Sequence, residues 1–268
     1  MELKEMFNLN GKVAVVTGGY GHLGRSLSEA LAEFGATVII ASRDQDKCRA
    51  LAKELSEKYH NQNSAAYIDV ANSAVVDEKI REIHEKYGQI DILVNNAIYQ
   101  KGREIHNIEE KDWLYTIDGT INTVYRCTKA VLPYMMSQKY GKIINIGSMY
   151  GIVSPDFSIY EGNDFFNPAS YGAGKAAIIQ FTRYICSMYG KYGITCNSIS
   201  PGPFHNCEAH NDGQFIRNLS RKNPLGRIGR PDDLKGAVVL LASNAGNYIC
   251  GHNLVVDGGW TIWQIKKS

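Results

Sequence analysis

The feature that most constrains this chain is a rhythm. Short, β-branched, apolar runs alternate with longer stretches of helical period from one end to the other. The runs are Lys12–Thr17, Thr37–Ala41, Ala65–Ile68, Ile90–Val94, Lys142–Ile146, Thr195–Ile199 and Asn253–Val256. Most lack polar alternation, so they read as strands covered on both faces. Between them lie His22–Phe34, Gln45–Tyr59, Ser73–Tyr87, Glu109–Lys139, Ser170–Tyr189 and Asp232–Ala242. In the first of these Leu23, Leu27, Ala30, Leu31 and Phe34 share one face, and Gly35 supplies the stop. Pro231 followed by two Asp suits the start of the last. Such alternation, with right-handed crossovers, predicts an α/β fold: a doubly wound parallel sheet between two helical layers. Ligands of such sheets sit beyond the carboxyl ends of the strands. Chemistry is therefore sought just after Thr17, Ala41, Ile68, Val94, Ile146 and Ile199.

Composition narrows the classes. Hydrophobic residues are 44% and charged residues 21% of the 268, which excludes a disordered chain. Lys and Arg number 29 against 27 Asp and Glu, a net charge of +2. No basic surface of the kind nucleic acid or an anionic membrane needs is expected. No apolar run approaches a bilayer's span, and Met1–Asn10 is mixed and charged. A cytoplasmic protein with a small-molecule substrate is the expectation. Cys48, Cys127, Cys186, Cys196, Cys207 and Cys250 are scattered with no CxxC pair, which predicts reduced thiols. No linker, repeat or low-complexity tract divides the sequence, so one domain over 1–268 is expected.

The first strand runs into Thr17-Gly18-Gly19-Tyr20-Gly21-His22-Leu23-Gly24. Glycines at a strand-to-helix turn let backbone N–H groups approach a pyrophosphate, with the helix dipole behind them. Gly18, Tyr20, His22 and Leu23 are the candidate contacts there. The second strand ends in Ser42 and Arg43. A small hydroxyl beside a guanidinium suits a ribose 2′-phosphate, which favours NADP(H); Asp44, next in line, keeps NAD open. Asp69-Val70 after the third strand places a carboxylate where an adenine amino group could donate, and Asn96-Ala97 after the fourth could brace the nucleotide floor. Each could instead cap a turn.

Tyr171 and Lys175 stand four apart at the start of a strongly periodic helix and share a face. A nearby ammonium stabilises phenolate and draws the phenol pKa down towards the working range, which suits a proton donor to a ketone or acceptor from an alcohol. Ser148 ends the preceding strand with a hydroxyl able to hold the reacting oxygen. The segment Gly147-Ser148-Met149-Tyr150-Gly151 is not the GxSxG elbow of a hydrolase.

These pieces together resemble the short-chain dehydrogenase/reductase family: TGGYGHLG, Asp69-Val70, NNA at 95–97, Ser148, YxxxK at 171–175, Pro201-Gly202 and Val256-Asp257-Gly258-Gly259, in the family's order, from about residue 8 to about 261. The resemblance implies a single Rossmann-type domain, an NAD(P)(H) cofactor and hydride transfer at a carbonyl carbon. It implies Tyr171 as general acid/base, Lys175 as its partner on the nicotinamide ribose, Ser148 on the substrate oxygen, and Pro201, Gly202 and Phe204 at the carboxamide. It implies a homotetramer or homodimer built through the two long helices and the terminal strand. Apolar Ile178, Ile179, Phe181, Ile185 and Met188 fit such an interface and an ordinary core alike.

The chain departs from the family in several places. His22 stands where the glycine turn usually has Gly, either bonding a phosphate or pointing outward, and Ile98 replaces a Gly near the nicotinamide end. Aligning Val124–Val131 and Ser148 with the family pattern puts Thr120 at the usual Asn of the proton relay. Its hydroxyl could still hold a water, whereas Asn122 would point to the other side. The stretch between Ser148 and Tyr171 is longer than in most relatives. The extra segment, 154–167, carries Asp156, Tyr160, Glu161, Asn163 and Asp164, either binding hydroxyls of a sugar, sugar acid or polyol or forming a surface excursion. A similar insertion occurs in members linked to bacterial sugar metabolism. Residues 204–223 correspond to a substrate lid; His205, Cys207 and His210 within it match no zinc spacing, so no metal is expected. Two alternatives to a sugar oxidoreductase remain: a nucleotide-binding protein with weakened turnover, and a 3-oxoacyl thioester reductase.

Overall fold

A computed structural model of the chain describes residues 2–160, 166–206 and 213–263. Seven parallel strands form one sheet: β1 (Val13–Thr17), β2 (Thr37–Ser42), β3 (Ser64–Tyr67), β4 (Ile92–Asn95), β5 (Gly141–Ile146), β6 (Ile194–Pro201) and β7 (Asn253–Val256), in the order β3-β2-β1-β4-β5-β6-β7. The order reverses between β1 and β4, which makes the sheet doubly wound and Rossmann-type, with the crevice for a ligand at that switch. The helices are α1 (Leu3–Met6), α2 (His22–Glu33), α3 (Gln45–Tyr59), α4 (Ser73–Tyr87), α5 (Glu110–Ile117), α6 (Thr123–Gln138), α7 (Ala169–Tyr189), α8 (Gly213–Arg221) and α9 (Lys235–Ala242).

The apolar runs of β1, β2, β4, β5 and β6 behave as strands buried on both faces should, while β3 and β7, at the sheet edges, are only partly buried. In the central strands the residues alternate between two cores. Ala14, Val16, Ile92, Val94 and Ile144 meet Leu27 and Leu31 of α2, Leu51 and Leu55 of α3, and Val238 of α9. Val15, Leu93 and Ile143 meet Val76 and Ile80 of α4, Val131 and Met135 of α6, and Ile185 of α7. The register Val15↔Leu93 and Leu93↔Ile143 places these side chains in one row across the sheet. Full burial of each such side chain contributes about 1.5–3 kcal/mol, enough to fix which face each strand shows.

Several expectations need correction. The stretch 109–139, read as one helix, is α5 and α6 joined by a π-helical turn, Asp118–Asn122. The last predicted helix begins as a 3-10 turn, Pro231–Leu234. Of the residues assigned to a possible interface, Ile178, Ile179 and Ile185 are core, while Met188 is exposed. The cysteines are not all thiols: Cys186 of α7 and Cys250, just before β7, form a disulfide with their Cα atoms 5.8 Å apart. The two are 64 residues apart in sequence and meet only because β7 pairs with β6 beside α7. Cys48, Cys127 and Cys196 are free and buried, as the reduced reading requires; Cys207 lies outside the described residues. No described helix is long and apolar enough to cross a membrane.

Candidate active site

The glycine turn is built by close approach. Gly18 has φ +62° and donates its N–H to Ala41 O at 2.7 Å. A Cβ on Gly24 would lie 2.1 Å from Gly18 O, so the first turn of α2 is seated directly on the loop. Thr17 and Asn96 brace it: Asn96 Nδ2 donates to Thr17 O and Gly18 O at 3.0 and 3.1 Å, while the Asn96 and Ala97 amides donate to Thr17 Oγ1 at 3.0 and 3.1 Å. Asn96-Ala97 therefore supports the turn from below as well as bordering the space above. Gly21 caps α2 without a side chain, which leaves the first helical amides available to an anion.

A cavity of about 450 Å³ runs over the carboxyl ends of the strands. Gly18, Tyr20, His22, Leu23, Ser42, Arg43, Asp69, Val70, Asn96, Ala97, Ser148, Tyr171, Lys175, Pro201, Gly202 and Phe204 all border it. Ile98, a family departure, borders it too and is 42% exposed. The tip of β2 separates its two candidates. Asp44 caps α3 by accepting from the Lys47 amide and pairs with Lys47 Nζ at 3.0 Å, so its charge is already met. Arg43 is exposed and, among the described residues, its side chain has no ion pair or hydrogen bond. Asp69 accepts from the Ala71 amide at 3.1 Å while also lining the cavity, so both readings of it hold together.

At the far end β5 and α7 bring three groups together. Lys175 is 5% exposed, and its Nζ donates to Ile146 O at 2.6 Å. Ser148 starts a 3-10 turn, its Oγ accepting from the Tyr150 amide at 3.1 Å. Tyr171 shows part of its ring to the cavity, with Lys175 Nζ 5.6 Å from the ring centroid. The electrostatics differ from the sequence expectation. Burial raises the Tyr171 pKa, the Ser148 hydroxyl only partly opposing it, and the neighbouring Tyr160 raises it further. Burial also lowers the Lys175 pKa to about 7. Desolvation, rather than the ammonium–phenolate attraction on which that expectation rested, sets the direction of both shifts. At neutral pH Tyr171 stands as the phenol.

Thr120 is 1% exposed and does not border the cavity. It lies in the π turn behind Lys175, where a Cβ on Gly174 would come within 1.9 Å of its Oγ1. That hydroxyl donates to Thr116 O at 2.8 Å, closing a carbonyl that the π turn frees. It can still accept a hydrogen bond but has no proton left to give. Asn122 is turned away, donating to Asp118 at 2.9 Å. Sequence reasoning missed Tyr99, Asp118 and Arg126, which form a hydrogen-bonded group around this turn and carry no motif.

The insertion and the lid segment meet over Tyr171. Ile159, Phe215, Leu219 and Trp260 pack with Met149 and Tyr150 into a small core, and Tyr160 and Tyr171 lie against it. Tyr160 and Tyr150 share a hydrogen bond between hydroxyls at 3.0 Å, and the Tyr160 and Phe215 rings stand 5.6 Å apart. Asp156 pairs with Lys222, and the Lys222 ammonium also donates to Ser158 at 3.2 Å. His205 packs edge-on against Phe215. A second hollow of about 970 Å³ is bordered by Glu104, Tyr150, Tyr160 and Gly172. Glu161, Asn163, Asp164, Cys207 and His210 lie outside the described residues. Among the described residues no group of three or more His, Cys, Asp or Glu is placed to hold a metal.

A family model described as Enoyl-(Acyl carrier protein) reductase matches residues 21–261. The 3-oxoacyl-[acyl-carrier-protein] reductase FabG of Vibrio harveyi is 34% identical over 254 residues, covering 94% of this chain and 98% of that one. The (2S)-[(R)-hydroxy(phenyl)methyl]succinyl-CoA dehydrogenase subunit BbsD of Thauera aromatica is 32% identical over 259 residues, covering 95% and 98%. Among solved structures, a gluconate 5-dehydrogenase from Burkholderia cenocepacia J2315, in complex with NADP and tartrate, superposes with a TM-score of 0.88 at 33% identity, covering 98% of this chain and 100% of that one. At such identity over nearly the whole length, this chain belongs to the short-chain dehydrogenase/reductase family of oxidoreductases.

Proposed function

We propose that the protein is an NADP(H)-dependent oxidoreductase that interconverts a secondary alcohol and a ketone on a sugar, sugar acid or polyol. The observation that carries this reading is the convergence of Ser148, Tyr171 and Lys175 at one end of a cavity whose other end is the glycine turn. The residues present fit a dinucleotide: Gly24 lets α2 start directly on the glycine turn, the α2 amides lack a side-chain cap, and Arg43 offers a charge unpaired among the described residues. When bound, the nicotinamide supplies or accepts the hydride at the carbonyl carbon. Ser148 donates its hydroxyl proton to the reacting oxygen while its lone pair stays on the Tyr150 amide. Tyr171, protonated at neutral pH, gives its proton to that oxygen in reduction and takes it back in oxidation. Lys175 keeps one N–H on Ile146 O, which leaves two N–H groups as the ammonium and one as the neutral amine for the ribose hydroxyls and the proton path. Thr120 acts from behind, as a positioning residue for Lys175. Residues 1–268 act as one domain, with the described parts of 154–167 and 204–223 enclosing the substrate. A cytoplasmic location belongs to this reading; there the Cys186–Cys250 bond would be subject to reduction.

Arg43 decides the coenzyme. Arg43→Ala is expected to weaken NADPH binding about 10- to 100-fold, the strength of a charge-assisted phosphate contact, and to leave NADH binding unchanged. Ser42→Asp should turn preference towards NADH. Initial rates over both coenzymes check this, and an unmoved NADPH/NADH ratio in both variants rejects the assignment.

The sugar class rests on the insertion and on the tartrate-bound gluconate 5-dehydrogenase likeness. The names of FabG and BbsD favour a second reading, an acyl thioester substrate. Incubation with NADPH and a panel of keto-sugars, keto-sugar acids and β-keto thioesters, followed by absorbance, separates the two. Tight NADPH binding without oxidation on any substrate would mean a protein with weakened turnover. Leu114, Tyr125, Tyr184 and Met188 are exposed on α5, α6 and α7, and Tyr248 and Ile262 flank β7. A homodimer or homotetramer would cover them.

A further inference from the structure

Between α5 and α6 one carboxylate gathers side chains from three directions. Asp118 opens the π turn and accepts from the Tyr99 hydroxyl, from Arg126 Nη1 at 3.2 Å and from Asn122 Nδ2 at 2.9 Å. Arg126 pairs with it through its second nitrogen too, and the two side chains are only 16% and 30% exposed. The same Nη1 also donates to Val70 O at 3.2 Å. Tyr99 follows the Asn96–Ile98 stretch and borders the cavity itself. Its amide donates to Gly119 O at 3.3 Å, and a Cβ on Gly119 would lie 1.9 Å from Tyr99 O, so loop and π turn are in direct backbone contact. Burial alone would raise the Asp118 pKa, but Arg126, Tyr99 and Asn122 together hold it below the usual carboxylate range.

Val70 and Tyr99 belong to separate loops, after β3 and after β4, and both border the cavity. Neither loop contacts the other through a hydrogen bond of its own among the described residues. We propose that Asp118 is a positioning residue for the coenzyme, holding through Arg126 the loop at the adenosine end and through Tyr99 the loop at the nicotinamide end, so that one charge sets the span between them. The assignment rests on the cavity being the NADP(H) site.

Fluorescence titration with NADPH, and competition by the fragment 2′,5′-ADP, test it. Asp118→Asn keeps the shape and removes the charge. It should weaken both ligands about tenfold, the value of one charged hydrogen bond, while kcat at saturating NADPH stays within about threefold. Tyr99→Phe cuts only the hydroxyl tie of the nicotinamide-end loop and leaves its amide bond to Gly119 O; it should weaken NADPH less than Asp118→Asn does and leave 2′,5′-ADP unchanged. Asp118→Glu should recover part of the loss. The stability control is Asp91→Asn, which breaks the Lys12 pair at 3.0 Å just before the central strands β4 and β1, at the end of the sheet away from the cavity. If Asp91→Asn weakens NADPH as much as Asp118→Asn does, or if Asp118→Asn binds like wild type, the assignment falls. Wild-type protein that binds neither NADPH nor NADH would instead remove the coenzyme reading, and this inference with it.

Discussion

Replacing Tyr171 with phenylalanine is expected to lower the rate of ketone reduction by about 10³-fold, within the range general acid catalysis supplies. NADPH affinity should stay within about twofold, because hydride geometry and phosphate contacts do not pass through the phenol oxygen. The fold should survive. The ring lies against Met149, Tyr150 and Trp260, and phenylalanine fills the same space. Ser148 keeps its bond from the Tyr150 amide, so the remaining hydroxyl stays placed. The raised pKa sharpens the expectation. A group held as the phenol near neutral pH is ready to donate, so reduction should run at full rate below the Tyr171 pKa and fail as the pH rises through it. Single-turnover NADPH oxidation, alongside NADPH titration, reads both quantities. A variant retaining more than about a tenth of the wild-type rate would show that another group supplies the proton.

The residues that could be read from sequence are those whose chemistry is local. The glycine turn is legible because a strand end, close glycines and a helix start fall within eight residues, and the sterics at Gly18 and Gly24 are properties of that stretch alone. Tyr171 and Lys175 are legible because four residues on a helix is one turn. The strands β1, β2, β4, β5 and β6 were readable within a few residues because burial on both faces leaves a short apolar run, whereas the edge strands β3 and β7 are only partly buried and were readable from their place in the alternation. What escaped depends on distant partners. Tyr99 and Asp118 stand 19 apart and meet where the β4–β5 connection folds back on itself; Cys186 and Cys250 stand 64 apart and meet through the β6–β7 pairing. The π turn at Asp118–Asn122 is a single widened turn, too short to disturb a helical period, yet it decides where Thr120 spends its hydroxyl. The direction of the Tyr171 pKa escaped for the same reason: spacing shows the neighbouring amine, whereas burial is set by the insertion, α8 and Trp260. α8 itself has charged and polar residues on most positions and buries only Phe215 and Leu219.

Lys175→Met should do two opposed things. Activity should fall about 10²- to 10³-fold, because the ribose and proton-path contacts are lost. Stability at pH 6 should rise. Lys175 is 5% exposed, and burial takes its pKa from 10.5 to about 7. Such a drop corresponds to about 5 kcal/mol against the charged form, reduced to about 2–4 kcal/mol once the bond to Ile146 O is counted as lost. The sign follows from proton counting. Between pH 7 and 10.5 the unfolded chain holds the Lys175 proton and the folded chain does not, so wild-type stability climbs with pH across that window. Below pH 7 both forms hold it, and the whole penalty is in force. Methionine neither titrates nor loses hydration. The variant's advantage should therefore be greatest near pH 6, about 5–10 °C in melting temperature, and should shrink as the pH approaches 10. Lys142, whose pKa burial lowers to about 8, titrates in both proteins and cancels in the difference. Melting curves of the pair at pH 6 and pH 9 decide it. A variant that melts below wild type at pH 6, or by the same margin at both values, would show that the amine is held for packing. A buried amine whose removal stabilises the fold and stops the reaction is there for the chemistry, since nothing in the core needs it.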